Sequence, residues 1–180
     1  SNVELILNTP FKKEYIPDFN KIIICTYHKI NDLLNESDKK EYKFQLVEKP
    51  VVQLPKAYKN FGAIVVEGDF INFDPFPGTN YHLLGATTAA MHRVVYDVEY
   101  SANNSNNKFI NMGIVKPDHT NIDKFLNLGE KYFKGFEIID HVGSMFTIRI
   151  SYIDFEKTGS KPFGINIVGD KIIDQNRSSI

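Results

Sequence analysis

Five histidines, one cysteine and a few carboxylates are the side chains with which this chain could do chemistry, and their spacing limits what that chemistry could be. His28, His82, His92, His119 and His141 are scattered, and no two stand four residues apart as zinc ligands sharing a helix face would. No metal site is expected from them. Ser144 lies between Gly143 and Met145, without the flanking glycines of a hydrolase nucleophile elbow and without an evident base, so it reads as a turn residue. Asp69 and Asp74 could act as an acid–base pair, but both adjoin turn-forming glycine or proline, where an Asp carboxylate bonds nearby backbone N–H groups. No glycines stand at the spacing of a dinucleotide or Walker phosphate loop, so an intact NAD or FAD site is not expected. Cys25, the only cysteine, allows neither an internal disulfide nor a multi-thiolate metal site. Inside Ile22-Ile23-Ile24-Cys25 it reads as a small buried hydrophobe, because apolar burial disfavours the thiolate.

The bulk composition narrows the partners. With a formal net charge of -1 and no clustered surplus of Lys and Arg, the chain offers no footprint for nucleic acid. Its apolar runs, such as Ala63-Ile64-Val65-Val66, are far shorter than the about 20 residues that span a bilayer, and no signal peptide opens the sequence. No membrane association is expected, and the lone cysteine fits a reducing, cytoplasmic setting. Ser1-Asn2 reads as the remnant of an affinity tag, leaving residues 3–180 as a single domain.

The elements that must position these residues are mostly strands. Lys21 to Cys25 is a β-branched run entered from a turn, hence a buried strand. Asn31 to Lys40 is a polar loop or short surface helix. Tyr42, Phe44 and Leu46 alternate with polar residues, as in a strand with one buried face, and Val51 to Leu54 continues it. Pro50 and Pro55 lack a donor, which predicts that this strand lies at an edge or breaks at each proline. Ala63 to Val66, Phe70 to Phe73 and Tyr81 to Leu84 form a β-meander around Gly68-Asp69 and Pro77-Gly78.

Met91 to Tyr100 is a further strand, followed by an Asn-rich loop over Ser101 to Asn107. Ile122, Phe125, Leu126, Leu128 and Tyr132-Phe133 share one face at helical spacing, which predicts a helix over Thr120 to Phe133, capped by Thr120 or Asn121 and stopped by Gly135. Met145 to Ile153 is a strong strand, and Gly169-Asp170 turns a hairpin between Ile165–Val168 and Lys171–Ile173. The fold class is therefore α+β, with a mainly antiparallel or mixed sheet and few helices.

One segment is distinctive: Asn72-Phe73-Asp74-Pro75-Phe76-Pro77-Gly78-Thr79-Asn80-Tyr81-His82-Leu83-Leu84-Gly85-Ala86-Thr87, followed by Ala89-Ala90-Met91-His92-Arg93. It resembles the substrate-side region of FAD-dependent oxidoreductases of the D-amino-acid oxidase superfamily, where a strand, a Pro-Gly turn and a Tyr-His-Leu-Leu-Gly strand recur. Asp140 to Arg149 is similar to a second stretch of the same proteins, and Phe19 to Tyr27 to the strand by which they return to the FAD domain. The resemblance implies a fragment, the substrate-binding domain without the glycine-rich FAD fingerprint. FAD is then the cofactor of the intact parent protein, and none is expected to bind this fragment.

On that resemblance the sheet roofs the flavin, and the small-molecule substrate, an amine or hydroxyl compound, lies between ring and sheet. His82, His92, Arg93 and Arg149 are the candidate substrate-binding residues, since a guanidinium can fork a carboxylate and an imidazole can accept a proton. The fragment alone is not expected to be catalytic. A homodimer through the surface left by the missing domain is expected. The competing reading is a stand-alone ligand-binding or protein-interaction module whose antiparallel sheet forms a cup, lined by some of the 14 Phe and 9 Tyr.

Overall fold

Tyr42, Phe44 and Leu46 do form a strand, but it does not stop at Pro50. In the computed structural model, which describes residues 3–101, 103–153 and 167–168, strand β2 runs unbroken over Tyr42–Gln53. β1 (Ile22–Ile23) precedes it in the chain and pairs antiparallel with the distant β8 (Ile167–Val168) as a separate two-stranded ribbon. The remaining strands are β3 (Ala63–Val65), β4 (Ile71–Pro75), β5 (His82–Ala86), β6 (Met91–Asp97) and β7 (Asp140–Tyr152). With β2 they make one six-stranded antiparallel sheet. The α+β class holds, with α1 (Ile122–Tyr132) the helix that packs on the sheet.

β2 is the centre of the sheet rather than an edge. One side pairs with β7 from Tyr42↔Tyr152 to Gln53↔Asp140. The other side is shared, β6 lying along Tyr42 to Val47 and β5 along Val51 and Val52. The junction between those two strands is what admits Pro50. Glu48 donates its N–H to Ala90 O on that side (2.8 Å), and the strand's period of two sends the nitrogen of residue 50 the same way. It arrives where β6 has ended and β5 has not begun, so no ladder bond is lost.

The meander β3–β4–β5 stands as expected. Its Phe73 is fully buried, with Tyr58 and Phe133 rings edge-on at 5.2 and 5.0 Å. α1 covers this cluster with Phe125, which is also fully buried and contributes about 1.5–3 kcal/mol by leaving water. The helix begins at Asn121, where Thr120 Oγ1 accepts the Ile122 N–H (3.1 Å), and Gly135 turns away in the left-handed region (φ 73°). A second cluster, Tyr42, Phe44, Leu46, Phe146 and Ile148, lies farther along the sheet.

Two local expectations are corrected, the strand at Lys21 to Cys25 and the turn at Ser144. Of Lys21 to Cys25 only Ile22–Ile23 is strand, and Cys25 and Ile23 are exposed. That ribbon stands apart from the main sheet, so only Ile24 of the run reaches the core. The loop from Asn31 to Lys40 is organised by 3-10 turns and by buried Asn31, whose Nδ2 donates to Lys40 O and Val98 O, each at 2.7 Å. Ser144 is no turn residue: it sits inside β7 and is fully buried. The hairpin at Gly169-Asp170 lies outside the described residues. Among those residues no helix is long and apolar enough to cross a membrane.

Candidate functional site

Alternation along β2 divides its polar residues between two faces. Gln45 and Lys49 point to one, with Val47 between them, and Glu48 points to the other with Phe44 and Leu46. Each face carries a polar arrangement of different character.

On the first face lies a cleft of about 350 Å³, floored by β2, β4, β5 and β7 and rimmed by Tyr27 and Phe70. Two cations enter it, Lys49 from β2 and Arg149 from β7. Arg149 Nε donates to Gln45 Oε1 (2.8 Å), and buried Gln45 in turn directs its Nε2 to Met91 Sδ (3.3 Å). The guanidinium is thereby oriented from one edge, and its two Nη groups have no protein partner among the described residues. Nor does a carboxylate pair there with Arg149 or Lys49. Glu48 also lines the cleft, its carboxylate engaged by Thr120, Ser144, His92 and Asn121; the two unpaired cations beside it favour an anion, and the planar fork of Arg suits a carboxylate. Gly85 makes room for Asn72 beside it in the floor, because a Cβ there would strike the Asn72 side chain.

The second face holds a buried carboxylate. Glu48 is fully buried and accepts four hydrogen bonds: Oε1 from Thr120 Oγ1 and Ser144 Oγ, both at 2.5 Å, and Oε2 from His92 Nε2 (2.7 Å) and the Asn121 N–H (2.8 Å). His141 Nε2 lies 3.0 Å from Ser144 Oγ, and extends the chain. Burial would raise the Glu48 pKa, but the donors from His92, Ser144, Thr120 and Asn121 outweigh it and hold the carboxyl below the usual Glu value. Glu48 therefore remains ionised, an acceptor for β6, β7 and the N-terminus of α1 at once, where the helix dipole also favours negative charge.

This second group is not a hydrolase site. The Ser144 hydroxyl is satisfied by Glu48 and is fully buried with it, so no substrate reaches either atom. The network serves to lock strands and helix together.

The four sequence-derived candidates do not converge. Arg149 alone enters the cleft. His82 is buried against Phe73, with Nε2 donating to Tyr58 O (2.9 Å). His92 belongs to the Glu48 network, its ring against Phe146, and Arg93 is exposed on β6. His92 is the residue at which the β2–β6 register shifts, since Leu46 pairs with Arg93 and Val47 with Met91. The bulge leaves both neighbours on the Glu48 face, where His92 reaches the carboxylate and Arg93, opposite Leu46, is exposed. Asp69 and Asp74 do not form an acid–base pair: Asp69 is held by Lys131 (2.6 Å) and Asp74 by Asn72.

Glu48 and Lys49 were missed by reasoning from the sequence. Glu48 had a visible signal, since it continues the phase of Tyr42, Phe44 and Leu46 and so stands where a buried residue belongs. Among the described residues no group of three His, Cys, Asp or Glu side chains could hold a metal ion. No family model, curated protein or solved structure matches the chain.

Proposed function

We propose that the chain is the substrate-side domain of a flavin-dependent oxidoreductase of the D-amino-acid oxidase superfamily, and that its sheet-face cleft receives a carboxylate of the substrate. The observation that carries this reading is Arg149, oriented by Gln45 and lacking a carboxylate partner beside Lys49 in a cleft of about 350 Å³. A guanidinium fixed at Nε presents its remaining N–H groups to both oxygens of a carboxylate, and Lys49 adds a second positive charge. An antiparallel sheet with a cleft on one face supports the reading, which needs a sheet above the flavin.

The described residues do not themselves fit FAD. A pyrophosphate is held by a glycine-rich turn and the free N–H groups of a helix start, whereas the Asn121 N–H at the start of α1 is already taken by Glu48. The flavin therefore belongs, on this reading, to a separate nucleotide-binding domain, and this chain binds and orients substrate.

Two measurements test the proposal. Titration with propanoate, followed by two-dimensional NMR, should give saturable shifts at β2 and β7 that vanish in Arg149→Met. Sequencing the gene should find a glycine-rich strand–turn–helix segment in the same reading frame. Carboxylate binding without such a segment would leave a stand-alone binding module, and no binding would overturn the assignment of the cleft.

A further inference from the structure

The six-stranded sheet ends on one side at β3, which is bonded to β4 alone. The direction of its backbone groups follows from the neighbouring pair. The Phe76 N–H donates to Tyr81 O (2.9 Å) and the Thr87 N–H to Phe70 O (3.3 Å), so the even-numbered residues of β4 turn their backbone groups to β5, while Ile71 and Phe73 turn theirs to β3. Val65 and Ala63, opposite these two, therefore face inward, and the N–H and C=O of Ile64 point off the sheet. The same alternation places the groups of Gly62 on the outer side.

Free strand groups invite a further strand, and proteins blunt such edges with charge, proline or a bulge. The edge strand β6 carries Arg93 and Asp97. Phe61-Gly62-Ala63-Ile64-Val65-Val66 has no charge and no proline, and its pairing with β4 runs without a register shift. Phe61, Ile64 and Val66 are exposed (48%, 56% and 71%), which sets an apolar rim beside the free backbone groups. Charges stand only at the two ends of the segment, Lys59 before it and Glu67 after it, each four residues from Ala63. Neither has an ion-pair partner among the described residues.

We propose that this edge binds a second copy of the chain, β3 against β3 and antiparallel, joining the two six-stranded sheets across a two-fold axis. Charge complementarity selects both the occupant and its direction. With the axis at Ala63, Lys59 of each copy approaches Glu67 of the other, whereas parallel copies would set like charges together. In that register Ile64 lies opposite Gly62 of the second copy and the two exchange both backbone bonds, with no side chain on Gly62 to obstruct Ile64. The contact is isologous and uses up both β3 edges, so association stops at two copies. An edge this short buries less than the about 1,200–2,000 Å² of stable complexes, so the dimer is weak and forms at high micromolar concentration. It is independent of what the cleft binds.

Sedimentation of the whole chain over a concentration series is the test. The parent should pass from monomer to dimer without larger species, and its Ile64 amide should exchange with solvent more slowly as concentration rises. Ile64→Lys places a charge at an exposed position, so it should melt with the parent while its dimer dissociation constant rises at least about tenfold. Lys59→Glu and Glu67→Lys, both at the surface, should each weaken association by setting like charges opposite one another, and the double substitution should restore it. Should Ile64→Lys fold poorly, the charge reversals carry the test. A parent that stays monomeric at the highest concentrations, or that assembles without limit, would overturn the proposal. So would a dimer indifferent to these substitutions, or single reversals that the double substitution fails to rescue.

Discussion

The Ser144 hydroxyl donates to Glu48 Oε1 at 2.5 Å across 96 residues of sequence, joining the middle of β7 to the middle of β2. Around that bond the carboxylate also binds Thr120 and the Asn121 N–H at the start of α1, and His92 from β6. One buried charge thus couples the helix to three strands.

Glu48→Gln should therefore be costly despite its near-identical shape. A glutamine amide turns one acceptor oxygen into a donor, so at least one of the four surrounding donors loses its partner in a buried site. At about 1–3 kcal/mol for each unsatisfied buried group, a loss of about 2–4 kcal/mol is expected. Urea unfolding followed by circular dichroism measures it, since the chain has no Trp to report by fluorescence.

The same residue sets an acid dependence. Donors hold the folded Glu48 pKa below its unfolded value, so between the two values the unfolded chain binds more protons than the folded one. Its contribution is complete above the unfolded pKa and is lost as pH falls through the folded one. Urea midpoints should drop more steeply below about pH 4.5 in the parent than in Glu48→Gln, narrowing the gap between them. Parallel curves would show that Glu48 does not carry this dependence.

Gly129→Ala ordinarily strengthens a helix by about 1 kcal/mol. Here it should weaken the protein, because a Cβ at position 129 would occupy the place of the buried Phe136 ring. Overpacking of this kind costs about 1–3 kcal/mol, and a melting point lowered by several degrees is the expected result. The double substitution Gly129→Ala with Phe136→Leu should recover part of the loss.

Cys25 is exposed, and a disulfide-exchange reagent should modify it completely in the native protein without denaturant. Labelling that appears only on unfolding would return Cys25 to the buried role suggested by its apolar neighbours.

Short-range regularities made much of this protein legible from sequence. The period-two apolar pattern located β2, apolar runs between turn residues located β3 to β7, the helical spacing of Ile122, Phe125 and Leu126 located α1, and Thr120, Asn121 and Gly135 marked its ends. Each follows from local geometry, since the direction of a side chain within an element depends on the backbone near it. Even Arg149 was identifiable as a candidate, as a cation embedded in an apolar strand.

What tertiary structure decided was which elements lie beside one another. Nothing in the neighbourhood of Pro50 announces that β5 and β6 divide one side of β2 and leave room for a residue without a donor. The bulge at His92, which brings it to Glu48, exists only once β6 is in register with β2. Ser144 looked like a turn residue until β7 brought it to Glu48, and Cys25 looked buried until its ribbon was set apart from the main sheet. Tyr27 and Phe70 meet at one cleft for the same reason. Periodicity specifies which way a residue faces along its own strand, but partners tens of residues away are chosen by the packing of the whole sheet, and those partners determine whether a polar side chain is a lock, a ligand site or solvated surface.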